Sequence, residues 1–259
     1  MSSSTVTRMD GAHGVRAIEP RAAPRRVARA TRWLGTALVV VGIGMLGWSL
    51  AVWKWEDPFT SLYTAYEQRQ LDSALATLTR DRAALPPPPA DEPRAVTVSR
   101  VRAQAKRFRS AAEPGTAIGR LRVPRLGVNM VMVEGTDSDS LKKGPGRDGR
   151  TFMPGEGKLV YIAGHRTTYS APLAKIDALR QGDRVTVEMP YGTFVYAVSR
   201  HRIVDDQDLS VLRTGPREEL ALQACHPRFF ATQRYIVWAR ALAMKPRGGT
   251  ATRFVDPSP

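Results

Sequence analysis

The chain has 259 residues, of which 42% are hydrophobic, and it carries a formal net charge of +15 at pH 7. This length allows one domain of moderate size with accessory segments, and a single cysteine excludes an internal disulfide. A strongly basic balance suits nucleic acid, anionic lipid or an anionic wall polymer. Because no basic run is interleaved with aromatic residues and no nucleic-acid motif is present, the composition favours contact with a membrane or cell wall over nucleic acid.

The N-terminal 53 residues predict a basic tail and a membrane anchor. Residues 1–32 are polar and end in a cluster of arginines, which indicates a disordered cytoplasmic tail. Residues 33–53 contain no charged side chain, and this length crosses a hydrocarbon core of ~30 Å at ~1.5 Å per residue. Arginines precede the apolar segment, so the positive-inside rule places the N-terminus in the cytoplasm and the rest of the chain outside. A cleaved signal peptide is the alternative, but no small-x-small cleavage site follows.

Residues 54–113 predict one helix and a linker. Leucine and tyrosine side chains recur at helical spacing over residues 60–85, which favours a membrane-proximal helix that acts as a spacer, with dimerisation as the alternative. Four prolines at 86–89 end this helix in a stiff extended break. Residues 90–113 are charged and rich in alanine and arginine without a clear period, so we expect a linker that could pack over the following domain.

Residues 114–246 consist of short alternating runs separated by turn residues. Strands are predicted at 118–123, 128–133, 158–163, 184–189, 193–204, 219–224 and 234–242. Short helices are predicted at 138–143 and 171–179, and the glycine- and proline-rich residues 144–157 are expected to form a loop. Some eight short strands at this spacing predict a mainly β domain, either a barrel or a sandwich. Residues 247–259 are expected to be a C-terminal tail.

Cys225 is the one cysteine, and the pattern places it at the end of a strand. Leu220 and Leu222 share one strand face, and Pro227 would deny a ladder hydrogen bond, so the strand should end just after Cys225. A side chain there is held rigidly and is still accessible to a substrate. A thiolate is a strong nucleophile, but it needs a neighbouring cation or base because the free thiol has a pKa near ~8.5. The adjoining His226 would point to the other strand face, which favours a structural role for it.

Two motifs occur in order along the chain. Residues 163–169 read Ala-Gly-His-Arg-Thr-Thr-Tyr, and residues 225–229 read Cys-His-Pro-Arg-Phe, with Arg234 shortly after them. Together they resemble the catalytic motifs of sortases, the membrane-anchored cysteine transpeptidases of Gram-positive bacteria, and their details are similar to the class E branch. The resemblance covers residues 115–242 and the anchor. It implies a closed sortase β-barrel of about eight strands.

The same resemblance implies three catalytic residues. Cys225 would form a thioacyl intermediate, His165 would protonate the leaving amine and later deprotonate the incoming one, and Arg234 would bind the substrate carbonyl and oxyanion. His165 lies 60 residues before Cys225, so only the fold can bring the two together. Arg228 and Arg240 are nearby alternatives to Arg234.

The resemblance also implies a substrate class and a substrate site. Sortases cleave a C-terminal sorting signal of the Leu-Pro-x-Thr-Gly type between Thr and Gly, and class E relatives are associated with Ala in place of Pro. The Ala preference is linked to the tyrosine that matches Tyr169, and Thr167, Leu222 and Ala224 are expected to contribute to the same site. The implied partners are surface proteins that carry such a signal and an amine of a peptidoglycan precursor or a pilin. No carboxylate cluster has metal-loop spacing, so we predict neither a metal nor another cofactor.

The chain departs from the family pattern at several positions. Ala221 and Ala224 stand where the family usually has threonine, and Ser170 stands where the branch typically has glycine. Because all three catalytic residue types are present, we favour an enzyme with altered substrate preference over a non-enzymatic scaffold for cell-surface assembly. An L,D-transpeptidase is a further alternative, but the residues before Cys225 lack the Ser-x-Gly-Cys run of that family.

Overall fold

The computed structural model describes residues 25–55, 58–83, 89 and 91–253. The chain divides after Leu50 into two compact units. Helix α1 spans Arg25–Trp55 and contains the predicted anchor, and its portion Arg29–Leu50 is long and apolar enough to cross a membrane. Its large apolar side chains are exposed to the surroundings of the helix. Of the predicted disordered tail, residues 25–32 are helical instead, and residues 1–24 lie outside the described part.

Two further helices precede the strands. Helix α2 spans Pro58–Ala83, which confirms the helix predicted over residues 60–85, and helix α3 spans Arg94–Ser110. The prediction of a linker over residues 90–113 is therefore wrong for most of that segment, although α3 does pack over the following domain. Val101, Ala105 and Phe108 of α3 are buried in the main core. Each turn of α3 buries only one of these side chains, and basic residues surround them in the sequence. The apolar residues are therefore too few to predict a helix from their spacing.

Nine strands lie in the described part of the chain and form one sheet. They are β1 Ala117–Val123, β2 Val128–Glu134, β3 Gly146–Arg147, β4 Leu159–Ala163, β5 Arg184–Met189, β6 Gly192–Asp205, β7 Glu219–His226, β8 Gln233–Pro246 and β9 Thr252–Arg253. Their order is β6-β5-β1-β2-β3-β4-β7-β8-β9, and β6 also pairs with β8. The first eight strands of this order therefore close on themselves, which confirms the predicted eight-stranded barrel.

The barrel closes along the antiparallel pair β6 and β8. Their register runs from Gly192 opposite Pro246 to Asp205 opposite Gln233, with irregularities after Val195 and after Val198. Such bulges increase the local twist and bend the strand, which helps a sheet to close. The pairing also explains why β8 extends four residues beyond its predicted end, because residues 243–246 find partners on β6.

The segment between β4 and β5 differs from the prediction. Residues 171–179 were expected to form a short helix, but they form turns and one 3-10 turn, Ile176–Ala178. Leu173, Ile176 and Leu179 are buried at a spacing of three, which a 3-10 turn satisfies as well as an α-helix does. Ala171 has a φ of 33°, which an α-helix does not allow. The apolar residues of this segment are therefore buried, as their spacing indicates, but they belong to turns and a 3-10 turn and not to the predicted α-helix.

Helix α2 is attached to the barrel by a glutamine side chain and by apolar packing. The Gln68 side-chain amide donates to the carbonyls of Val131 (2.9 Å) and Lys143 (2.8 Å), and its oxygen accepts from the Val131 N–H (2.8 Å). Leu71 and Leu75 are buried one and two turns further along, in a cluster with side chains of β1 and β2. Helix α2 is therefore a packed part of the second unit rather than a free spacer.

Replacing Gln68 tests this attachment. Gln68→Ala leaves three backbone groups of Val131 and Lys143 without this partner. Because an unsatisfied buried group costs about 1–3 kcal/mol, we expect the free energy of unfolding to fall by about 3 kcal/mol or more. Gln70→Ala is the matched control, since Gln70 is exposed on the same helix. Its effect should stay within about 0.5 kcal/mol. Urea denaturation of the full chain in detergent measures both changes, and equal stability of the two variants would contradict the attachment.

Candidate active site at the end of strands β4, β7 and β8

Cys225 lies one residue before the end of β7, and β8 places Arg234 directly opposite it. Strand β7 ends at His226 because Pro227 follows and has no N–H for the ladder. Side chains of directly opposed residues in an antiparallel pair project from the same face, so Cys225 and Arg234 are cross-strand neighbours. The thiol is free and half-buried. The fold thus brings together two of the three predicted catalytic residues.

His165 emerges at the same end of the barrel. Strand β4 runs parallel to β7, and their last register pair is Ala163 with Gln223, followed by a hydrogen bond from the Gly164 N–H to the Gln223 carbonyl (3.0 Å). Because parallel strands end at the same edge of a sheet, the residues that follow both strands leave the barrel side by side. His165 and Cys225 are each two residues beyond the last register pair. The 60 residues that separate them in sequence are therefore bridged by this pairing.

The His165 ring is half-buried, and one of its nitrogens has no hydrogen-bond partner among the described residues. Burial lowers the pKa of His165 below its usual value, and the nearby positive charge of Lys142 lowers it further. Its Nε2 is the one buried side-chain nitrogen or oxygen without a hydrogen-bond partner among the described residues. Buried polar atoms of this kind are rare in native proteins and call for an explanation. A neutral imidazole with an open nitrogen can accept a proton from a group that arrives beside it.

The guanidinium of Arg234 is held by the loop that joins β7 and β8. Its Nη1 donates to the carbonyls of Ala231 (2.7 Å) and Gln233 (2.9 Å), and its Nη2 lies 3.8 Å from a carboxylate oxygen of Asp206. In the described contacts it makes no hydrogen bond to Cys225. These bonds hold a permanently charged guanidinium at the end of β8 that lies beside Cys225. The Arg234 side chain is one-quarter exposed there.

The two alternatives to Arg234 lie elsewhere. Arg240 is exposed on β8. In the β7–β8 register it lies opposite Glu219, the first residue of β7, whereas Cys225 is near the other end of that strand. Arg228 is exposed in the β7–β8 loop, with its guanidinium 5.9 Å from the centre of the Phe229 ring. Register therefore favours Arg234 as the arginine beside Cys225.

Arg166 is a residue of this site to which the sequence assigned no role. It is 4% exposed, and its Nη1 donates to the Cys225 carbonyl (3.2 Å) and lies 2.9 Å from Nδ1 of His226. Because a guanidinium only donates, Nδ1 of His226 is the acceptor. The Nη2 of Arg166 also pairs with Asp177 (3.0 Å). Arg166 thus connects the loop after β4 to the end of β7. In the sequence, only its position next to the predicted catalytic histidine indicated that it belongs to the site.

The loop after His165 has a left-handed backbone at three consecutive residues. Tyr169, Ser170 and Ala171 have φ values of 53°, 57° and 33°, and a left-handed conformation costs a residue with a Cβ about 1–2 kcal/mol. The first turn of α2 supports this loop, because Thr60 Oγ1 accepts from the Tyr169 N–H (2.9 Å) and the Ser170 hydroxyl reaches the Ser61 carbonyl (3.5 Å). The glycine that the branch typically has at position 170 matches this backbone.

The residues predicted to bind substrate divide into two groups. The Tyr169 ring lies 5.1 Å from the His165 ring, centre to centre, and Thr167 is half-buried in the same loop. Leu222 and Ala224, in contrast, are buried in the main core, and the alternation of strand β7 points them to the opposite face from Cys225. The structure therefore groups Tyr169 and Thr167 with His165 and does not bring Leu222 and Ala224 to the face of Cys225.

Known proteins are similar to this chain in sequence and in fold. Residues 121–242 match the sortase domain. Sortase D of Bacillus subtilis (strain 168) is 33% identical over 132 residues, which are 49% of this chain and 65% of that protein. Sortase SrtE1 of Streptomyces coelicolor is 32% identical over 161 residues, which are 56% of this chain and 46% of that protein. A Clostridium perfringens Sortase D5 transpeptidase shares the fold, with a TM-score of 0.54 and 22% identity over 68% of this chain and 99% of that one.

Residues 121–242 thus match the sortase family, whose members are cysteine transpeptidases. This confirms the family resemblance, and the similarity to a class E enzyme supports the branch. The chain spans less than two thirds of the length of either relative named above. The helix α1 is compatible with a single-pass membrane anchor by its length and composition.

A serine-to-glycine substitution, made once in the loop after His165 and once in helix α2, tests whether the left-handed backbone of that loop is strained. Ser170→Gly should raise the free energy of unfolding by about 0.5–1 kcal/mol, because glycine adopts positive φ without steric cost. Ser73→Gly, on the exposed face of α2, should lower it by about the same amount, because glycine weakens a helix interior. Thermal unfolding of the two full-length variants measures the signs, and a loss of stability in both would argue against a strained loop.

Proposed function

We propose that this chain is a membrane-anchored cysteine transpeptidase that uses Cys225, His165 and Arg234. The observation that carries the proposal is the convergence of these residues at one end of the barrel, where the buried Nε2 of His165 has no partner among the described residues. A structural histidine is expected to satisfy its ring nitrogens. An open nitrogen beside the strand that carries the lone cysteine instead suits a group that moves protons during a reaction.

In the first half of the proposed reaction, the sulfur of Cys225 attacks a substrate amide carbonyl. The neutral His165 ring takes the thiol proton, and the carbon–sulfur bond forms as the carbonyl oxygen becomes negatively charged. Arg234 stabilises that oxyanion. The carbon–nitrogen bond then breaks, His165 returns the proton to the leaving amine, and a thioester remains on Cys225. The lowered pKa of His165 supports this role, because the ring is available as a base at neutral pH.

In the second half, a primary amine attacks the thioester. His165 removes a proton from the attacking nitrogen, a new amide bond forms, and Cys225 leaves as the thiolate. The proton passes from His165 to the thiolate, which restores the free enzyme. The reaction exchanges one amide for another, so atoms and charge balance without a metal or another cofactor.

The proposed substrates are surface proteins that carry a C-terminal sorting signal of the Leu-Pro-x-Thr-Gly or Leu-Ala-x-Thr-Gly type. Cleavage falls between Thr and Gly, and the acceptor is an amine of a peptidoglycan precursor or a pilin. The Tyr169 ring lies 5.1 Å from the His165 ring, and this position supports the proposed preference for Ala, in which the bulky ring would narrow the space for a proline ring. We place the N-terminus in the cytoplasm and the barrel outside the cell membrane.

Peptide turnover by the full chain in detergent tests the chemistry. With a Leu-Ala-x-Thr-Gly or Leu-Pro-x-Thr-Gly peptide, mass spectrometry should detect a thioacyl adduct on Cys225, and adding glycinamide should convert it to a transpeptidation product. His165→Ala should lower the rate about 10²–10⁴-fold and Arg234→Ala about 10²–10³-fold. Cys225→Ala should form neither the adduct nor the product.

The controls for this experiment use the same residue types outside the site. His201→Ala and Arg240→Ala remove an exposed histidine on β6 and an exposed arginine on β8, and both variants should keep the wild-type rate. If a folded wild-type chain forms no adduct with any sorting peptide, the enzyme proposal fails and the scaffold alternative is favoured. Equal losses in the site and control variants would also count against the assigned roles.

The single cysteine also allows a test of membrane sidedness. A membrane-impermeant maleimide applied to intact cells should label the wild-type chain, because the half-buried thiol of Cys225 would lie outside the cell. Cys225→Ala should remain unlabelled before and after the cells are permeabilised. If the wild-type chain is labelled only after permeabilisation, the barrel is cytoplasmic and the proposed localisation is wrong.

A further inference from the structure

The first turns of α2 present large apolar side chains away from the barrel. Phe59, Leu62 and Tyr66 are 69%, 70% and 60% exposed. In a helix with 3.6 residues per turn, Leu62 and Tyr66 lie about 160° around the axis from the buried Thr64, and Phe59 lies about 140° from it. These three residues, the outward stripe of α2, therefore occupy the side opposite the one that packs on the barrel.

The outward face of α2 is apolar up to Tyr66 and polar after it. Further along the same side of α2, the exposed residues are Arg69, Gln70, Ser73, Thr77 and Arg80. The apolar part is thus confined to the end of α2 that is nearest in sequence to the apolar helix α1. A helix that serves only as a solvated spacer has no reason for such a gradient along one face.

Chain length connects this stripe with the membrane. Helix α2 begins at Pro58, three residues after α1 ends at Trp55, and Phe59 follows Leu50 by nine residues. Even a fully extended chain of that length spans at most ~30 Å, and a helical one spans less. A face of two aromatic residues and one leucine, followed by an arginine, suits the boundary between lipid tails and headgroups, where tyrosine rings and guanidinium groups are favoured.

We infer that the outward stripe of α2, Phe59, Leu62 and Tyr66, lies in the interfacial region of the bilayer that anchors α1. The inference rests on the proposed anchoring and adds a second, peripheral contact to it. A second copy of the chain is a poorer occupant, because two aromatic side chains that each bury about 150–250 Å², together with one leucine, fall short of the ~800 Å² per partner that a stable interface needs.

This contact would hold the candidate active site at the membrane surface. The same turns of α2 that carry the stripe also support the site loop, since Thr60 accepts from the Tyr169 N–H and the Tyr63 ring meets the Tyr169 ring edge-on. The His165 ring lies 5.1 Å from that same tyrosine ring, centre to centre, and is tilted by 35° against it. A substrate segment that leaves the bilayer would therefore meet the site within a few residues of its exit.

Spin labels on the full chain test the inference. In a Cys225→Ala background, single substitutions Leu62→Cys and Tyr66→Cys report on the stripe, Ser73→Cys and Thr77→Cys on the polar part of the same face, and Val41→Cys on α1. The chains are reconstituted in vesicles of equal parts phosphatidylcholine and phosphatidylglycerol. Electron paramagnetic resonance then compares relaxation by oxygen, which partitions into lipid, with relaxation by a water-soluble nickel complex.

We expect the oxygen-to-nickel ratio to be several-fold higher at positions 62 and 66 than at 73 and 77, with position 41 deepest in lipid. If position 41 is in lipid while all four α2 positions are equally water-exposed, the stripe does not contact the bilayer, although the anchor stands. If position 41 is itself in water, the anchoring fails and the inference fails with it. Dipolar broadening at 62 and 66, with protection from both reagents, would identify a second copy as the occupant and overturn the lipid contact.

Discussion

The site depends on the position of β7 between a parallel and an antiparallel neighbour. The parallel pairing with β4 brings the residues after two distant strands to one end of the barrel, and the antiparallel pairing with β8 sets an arginine opposite the cysteine. A slip of one residue in either ladder would turn side chains of the site to the other face. Arg166 reinforces the arrangement across the strand ends, because its buried guanidinium bonds to the carbonyl of Cys225 and to His226.

The support of the site extends beyond the barrel to helix α2. The loop from His165 to Ala171 contains three left-handed residues in a row, and such a backbone persists only where neighbouring groups hold it. Here the neighbours are Thr60 and Ser61 in the first turn of α2, while Gln68 attaches the same helix to β2. Helix α2 therefore positions the loop that carries Tyr169.

The sequence was sufficient to predict the elements and residues that depend on local patterns. Alternation located the longer strands, and two short motifs identified Cys225, His165 and Arg234, which the fold then brought to one end of the barrel. It was insufficient where long-range pairing decides the structure: the two-residue strand β3 exists only because β2 and β4 flank it. The narrow buried stripe of α3 and the contacts of Arg166 likewise depend on partners distant in sequence, so no local period revealed them.

The two alanines that depart from the family pattern bear on the choice between enzyme and scaffold. Ala221 and Ala224 are both fully buried, in different apolar clusters on the two faces of β7. A threonine hydroxyl at either position would have to find a partner inside a hydrophobic cluster, because burying an unpaired hydroxyl is unfavourable. Alanine avoids that penalty and leaves the charged groups around Cys225 unchanged. The substitutions are thus compatible with apolar packing beneath an intact site, and they do not by themselves favour a loss of catalysis.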